Sequence, residues 1–243
     1  MIEDNDFDVI IGASGGLGDA VLKQSIQEKP IKQVVAISRS TKPLDYDPKL
    51  GWFQTAYHED AIQSCCEQLA SLQGKVHRVF ICTGVLHGTD FFPEKKLEDL
   101  AELSMEKVYH ANVVVPMLFI KYLTPLLRRK NATIVSVLSA RVGSIEDNQL
   151  GGWYAYRASK AALNMMLKTT AIEFSRRAKN VKIIAFHPGT TNTSLSKPFQ
   201  ANVKPEKLFA PDFVAKQLSH LTLSIQPDGA LSYLDWNHQP IKW

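Results

Sequence analysis

The chain has 243 residues, 45% hydrophobic and 21% charged, with a formal net charge of +4. That length suffices for one large core, and the composition is ordinary for a soluble globular protein. Its basic residues are scattered rather than striped, which argues against a nucleic-acid partner. Its three cysteines, Cys65, Cys66 and Cys82, form no metal spacing and read as free thiols in a reducing compartment.

The N-terminus, MIEDNDFDVII, is acidic where a secretion signal carries positive charge, and no apolar run approaches a membrane span. A cytoplasmic protein without a membrane partner is expected. A strand is predicted over 7–11, followed directly by GASGGLG at 12–18 and a helical pattern over 17–28. A strand that turns into a helix through glycines lets the backbone approach a pyrophosphate, whose charge the helix N-terminus attracts. The second strand, over 33–38, ends at Ser38, with Arg39 and Ser40 behind it. An NAD site would place a carboxylate there for the ribose 2′-hydroxyl, whereas a guanidinium can hold a 2′-phosphate. Asp45 and Asp47 come too late in the chain. NADP(H) is therefore favoured over NAD(H).

Strands over 52–55 and 76–82 follow, separated by a helix over 61–72, and then a long helix over 97–127. Within it, Pro116 has no N–H to give the carbonyl four residues earlier, that of Asn112. The run Arg128-Arg129-Lys130 then suits the negative end of a helix. A strand over 133–138 precedes Ser139, and a helix over 153–177 carries GGWYAYRASKAALN. Tyr156 and Lys160 lie four apart, on one helix face. The ammonium is expected to favour the phenolate and lower the Tyr156 pKa, making it an acid and base near neutrality. Seven tyrosines make such a pair unremarkable by itself. A strand over 181–186, an irregular stretch over 190–208, a helix over 211–225 and a strand over 231–234 complete the chain. Apolar strands alternating with helices predict a doubly wound parallel α/β sheet covered on both faces, in one domain over 1–243.

Gly12, Gly16 and Gly18, followed in order by Asn112, Ser139, Tyr156 and Lys160, resemble the short-chain dehydrogenase/reductase family over nearly the whole chain. The runs LSARVGSI, GGWYAYRASKAALN and HPGTTNTSLSKPFQ resemble its bacterial C-factor-like members, a branch linked to cell–cell signalling in one lineage. The resemblance implies a Rossmann-type sheet of about seven strands in the order 3-2-1-4-5-6-7. It implies Asn112, Ser139, Tyr156 and Lys160 as catalytic residues, with Tyr156 the acid/base and Ser139 on the carbonyl oxygen. The Asn112 carbonyl would bind a water of a proton relay, and Lys160 the ribose.

For the cofactor, the resemblance implies Gly12, Ser14, Gly16, Leu17, Gly18, Ser38, Arg39, Ser40, Thr83 and Gly84. Tyr156, Lys160, Pro188, Gly189, Thr191 and Thr193 complete that set. Ile81-Cys82-Thr83-Gly84 keeps only the glycine of the family's Asn-Asn-Ala-Gly, and Ala56 stands where an aspartate often touches the adenine.

Arg141, Trp153, Tyr154 and Phe199 are expected to line the substrate pocket, and 144–152 to enlarge its wall. The segment 194–208, with Phe209 after it, is a candidate lid. His110 and His187 lack partners at metal spacing and read as structural, so no metal is expected. The activity implied is NADPH-dependent reduction of a carbonyl on a small to medium, largely apolar substrate. A homodimer or homotetramer through the helices of Asn112 and Tyr156 would follow family habit. Two rivals stand beside it: a cofactor-binding signalling protein with little catalysis, and an NAD enzyme working toward oxidation.

Overall fold

A computed structural model describes residues 6–28, 33–43, 47, 50–129 and 131–243. Residues 1–5, Asp45 and Lys130 lie outside the described residues. The strands are β1 (Phe7–Ile11), β2 (Gln33–Ser38), β3 (Leu50–Gln54), β4 (Val76–Ile81), β5 (Thr133–Leu138), β6 (Val181–His187), β7 (Thr190–Thr191), β8 (Leu208–Phe209) and β9 (Leu231–Asp235). The helices are α1 (Gly16–Gln27), α2 (Glu59–Ala70), α3 (Glu102–Tyr109), α4 (Val115–Leu127), α5 (Tyr154–Arg177) and α6 (Pro211–Ser224).

Seven strands form one sheet in the order β3-β2-β1-β4-β5-β6-β9, every pairing parallel. This is the expected order, with β9 as the seventh sheet strand. The small parallel pair β7–β8 lies apart from it and gives structure to a stretch read as irregular.

Strand β1 shows how the sheet is covered. All five residues are buried, and successive side chains enter opposite cores. Phe7, Val9 and Ile11 join Leu69 of α2, Phe119 of α4 and Leu163 of α5, while Ile10 joins Leu17 of α1 and Leu218 of α6. Burial of each such side chain contributes roughly 1.5–3 kcal/mol. Asp8 is the polar exception in the strand. It stands opposite Arg78 in the β1–β4 register, and the guanidinium donates to its carboxylate from Nε (3.0 Å) and Nη2. Arg78 also reaches Glu28 at the end of α1 and Ser219 of α6. Two fully buried charges are held because nearly every donor and acceptor finds a partner.

The long predicted helix is three pieces. A short 3₁₀ turn covers Leu97–Asp99, and between α3 and α4 the helix widens to a π turn over His110–Val114. Pro116 explains the widening: without its N–H, Asn112 has no partner four residues on, and Val115 N–H bonds His110 five residues back. By length and composition Glu102–Leu127 could cross a membrane, contrary to the sequence expectation. Within it Phe119, Leu123 and Leu127 are fully buried in the core. Beyond α4, Arg128 donates to the carbonyl of Arg177, and Arg129 to those of Gly74 and Ala70.

Candidate active site

The sheet order reverses between β1 and β4, so the segments leaving their C-terminal ends diverge and open a crevice. The glycine turn leaves β1 there. Gly12 has φ +80, which admits the chain reversal, and a Cβ on Gly18 would stand 2.1 Å from the Gly12 carbonyl oxygen. Helix α1 begins with Gly15 as N-cap and no side-chain cap, so its first N–H groups have no side-chain acceptor. On the other flank, a Cβ on Gly16 would meet the Thr193 side chain at 2.9 Å.

A cavity of about 420 Å³ opens from this turn. Of the cofactor residues expected from sequence, Gly16, Leu17, Gly18, Thr83, Gly84 and Lys160 line it, as do Tyr156, Pro188, Gly189, Thr191 and Thr193. Gly12 lies beneath it, against the backbone of Cys82 and Thr83. Ser14, Ser38 and Ser40 form a separate hydroxyl cluster at the end of β2. Ser14 Oγ and Ser38 Oγ lie 2.6 Å apart, and Ser40 N–H donates to Ser38 Oγ. Arg39 is exposed beside them, its guanidinium over the Tyr57 ring at 5.4 Å.

A nicotinamide dinucleotide fits these residues on three observations. Gly15, Gly16 and Gly18 bring the backbone of the turn to the cavity, the helix N-terminus has no side-chain cap, and Thr83 Oγ1 is buried on the cavity wall without a partner. Hydroxyls and a guanidinium, rather than a carboxylate, occupy the end of β2.

Tyr156 and Lys160 are both buried, with the Lys160 ammonium 5.8 Å from the phenol ring centroid. Lys160 Nζ donates to the Leu138 carbonyl at 2.9 Å. The expected lowering of the Tyr156 pKa is not what this geometry gives. Burial, with Tyr233 beside it, raises the phenol above its ordinary value, and burial pushes the Lys160 ammonium down to about 8. Desolvation is the leading cause for both groups, and the ammonium is turned to the Leu138 carbonyl.

Ser139 lines the cavity, and its hydroxyl donates to Asn164 Oδ1 at 2.6 Å. The Asn112 side chain faces away from the cavity lining. Its Oδ1 accepts from Val85 N–H at 2.7 Å, and its Nδ2 donates to Val85 O and Ser159 Oγ. It ties the loop after β4 to α5, leaving the backbone carbonyl as the group that could serve a water.

Of the four expected substrate residues, Trp153 and Phe199 line the cavity and meet edge-on at 5.0 Å. Tyr154 does not: it is exposed and lines a second hollow with Ile145, Asn148 and Arg157. Residues two apart on a helix point to different sides, so Tyr154 and Tyr156 cannot share a wall. Arg141 is also absent from the cavity, because its guanidinium pairs with Asp235 at the end of β9, at 2.9 Å. Residues 144–152 border the second hollow rather than enlarging the first.

Leu86, Val142, Leu195 and Val203 complete the apolar wall. Leu195 and Val203 belong to the segment expected as a lid, whereas Leu86 and Val142 sit in connections whose path only the fold decides. Asn164 does carry a local signal: it lies four residues beyond Lys160, on the Tyr156 face of α5. His187 lines the cavity with Nδ1 buried and unpartnered, its pKa pushed down to about 4 by burial and by Arg141. No group of three or more metal-ligating side chains occurs among the described residues.

A parallel sheet that turns through glycines at its switch point is the architecture of nucleotide-binding α/β oxidoreductases. Residues 8–204 match the sequence model of the short chain dehydrogenases, and the chain belongs to that family. It is 26% identical over 231 residues to a benzil reductase ((S)-benzoin forming) of Bacillus subtilis, covering 88% of this chain and 91% of that one. To C-signal of Myxococcus xanthus it is 28% identical over 147 residues, 60% of this chain and 83% of that one. Among solved structures, NADPH-bound carbonyl reductase from chicken fatty liver superposes with a TM-score of 0.83 over the whole of both chains, at 18% identity.

Proposed function

We propose that the protein is an NADPH-dependent carbonyl reductase acting on small to medium, largely apolar substrates. The observation that carries the reading is one cavity in which Tyr156, Lys160 and Ser139 stand between the glycine turn and an apolar wall of Trp153, Phe199 and Leu86. The benzil reductase relatives add support, since their named substrate is a carbonyl compound.

Reduced nicotinamide supplies the hydride when bound. The chain's own residues do the rest. Gly16, Leu17 and Gly18 at the N-terminus of α1 take the diphosphate, while Arg39 with Ser14, Ser38 and Ser40 takes the 2′-phosphate. Thr83, Gly84, Pro188, Gly189, Thr191 and Thr193 border the nicotinamide end, and Lys160 holds the ribose. Ser139 holds the carbonyl oxygen. Tyr156 gives that oxygen its proton as the carbonyl carbon is reduced. Segment 194–208 brings Leu195, Phe199 and Val203 over the substrate and excludes water. A cytoplasmic homodimer or homotetramer belongs to the same proposal.

A second reading, a cofactor-binding signalling protein, rests on the C-signal relative. The complete Asn112, Ser139, Tyr156 and Lys160 set favours catalysis. Titration with NADPH and NADH, then a panel of aryl and alkyl carbonyls followed by NADPH absorbance, separates the two. Tight NADPH binding with no consumption against any carbonyl would leave the signalling reading standing.

A further inference from the structure

Ser139 meets the cavity, but its hydroxyl is engaged on the inner side. It donates to Asn164 Oδ1, while Asn164 Nδ2 is buried and finds no partner. The Tyr233 hydroxyl, within reach of both Asn164 and Ser139, donates to the Ala140 carbonyl at 2.7 Å. A serine hydroxyl has one proton to give. Given to Asn164, it is not available to a substrate oxygen. A carboxamide has a donor end and an acceptor end of nearly the same shape. Turned about its last bond, Asn164 would donate from Nδ2 to Ser139 Oγ, and its Oδ1 would accept from the Tyr233 hydroxyl once that proton leaves the Ala140 carbonyl. The unpartnered donor would then be used, and the Ser139 proton released toward the cavity.

We propose that Asn164, backed by Tyr233, is a positioning residue whose carboxamide decides whether the Ser139 proton is directed into the cavity. This rests on the reading of Ser139 as the group that holds the carbonyl oxygen. Asn164 is buried and outside the cavity lining, so its action passes through Ser139. The ionisable groups around this cluster are Tyr156 and Lys160 on α5, Tyr233 and Asp235 on β9, His187 on β6, and Arg141 and Asp147 before α5.

Asn164→Asp keeps the shape but, once ionised, only accepts, so it holds the Ser139 proton inward. Its kcat is expected to fall about 100-fold at pH 8, with KM for NADPH unchanged. The deficit relative to the parent should shrink as pH falls toward about 5, because a protonated carboxyl can donate to Ser139 Oγ. In a Tyr156→Phe background, where turnover is expected to be too slow to disturb a binding measurement, the same change should weaken carbonyl binding about tenfold by calorimetry. Asn164→Ala repeats the test without a buried charge and should lower kcat and raise the carbonyl KM. A pH-independent deficit in Asn164→Asp, or unchanged kcat and KM in Asn164→Ala, overturns the positioning role alone. A parent protein that reduces no carbonyl with NADPH overturns the parent reading and this role with it.

Discussion

The Trp153 indole meets the Phe199 ring edge-on at 5.0 Å, joining the turn before α5 to the segment over the cavity. Trp153 is held at φ +52, after Gly151 and Gly152 at φ +65 each, a conformation costly for a residue with a bulky side chain. Its N–H donates to the Glu94 carbonyl, and Glu94 Oε2 accepts from Ala155 N–H in the first turn of α5. The loop after β4 therefore holds the Trp153 backbone, and the indole packs against Phe199 of the segment over the cavity. Phe199→Ala should raise KM for carbonyl substrates about tenfold and leave NADPH affinity unchanged, measured by steady-state kinetics and fluorescence titration. A fall in NADPH affinity instead would place Phe199 on the cofactor.

Tyr156→Phe removes the proposed proton donor and little volume. Turnover should drop by about 10²–10⁴-fold with NADPH affinity preserved. Residual activity near the parent level would move the donor elsewhere in the cavity.

Arg39 sets the expected cofactor preference. Arg39→Ala should weaken NADPH about 10- to 100-fold, the loss of a charge-assisted pair, and barely change NADH. Equal losses for the two cofactors would remove the phosphate from this site.

Lys160 links the site to stability. Burial moves its ammonium from 10.5 down to about 8. Between these values the unfolded chain keeps a proton that the folded chain has released, so stability rises with pH across that window. Below it, the buried charge carries its full cost. Lys160→Met should therefore be inactive yet more stable at pH 7, by up to about 3 kcal/mol, with the difference closing toward pH 10.5. Melting curves across that range decide it: a variant less stable at pH 7 means that the bond to Leu138 outweighs the charge.

At the glycine turn the structure distinguishes two positions that look alike in sequence. A Cβ on Gly18 would stand 2.1 Å from the Gly12 oxygen, whereas one on Gly15 would stand 3.3 Å away. Gly18→Ala should cost about 1–3 kcal/mol or more in a denaturant melt, and Gly15→Ala distinctly less. Equal costs would show that the turn can relax around either.

The sequence by itself determined the sheet and most of the cavity's polar set. Strand and helix periods are local, and a glycine turn after a first strand points to one crevice because parallel sheets reverse order there. Helix spacing likewise put Tyr156 with Lys160, and could have parted Tyr156 from Tyr154. Pro116 foretold a fault in the long helix, though not that it would take the form of a π turn.

Tertiary structure alone decided where side chains of equal promise were spent. Arg141 went to Asp235, the Asn112 amide to Val85, and the Ser139 proton to Asn164. It also decided which partners are desolvated together, and so reversed the expected shift at Tyr156. Such outcomes depend on groups far apart in the chain competing for the same few donors, charges and volumes, and no local pattern records that competition.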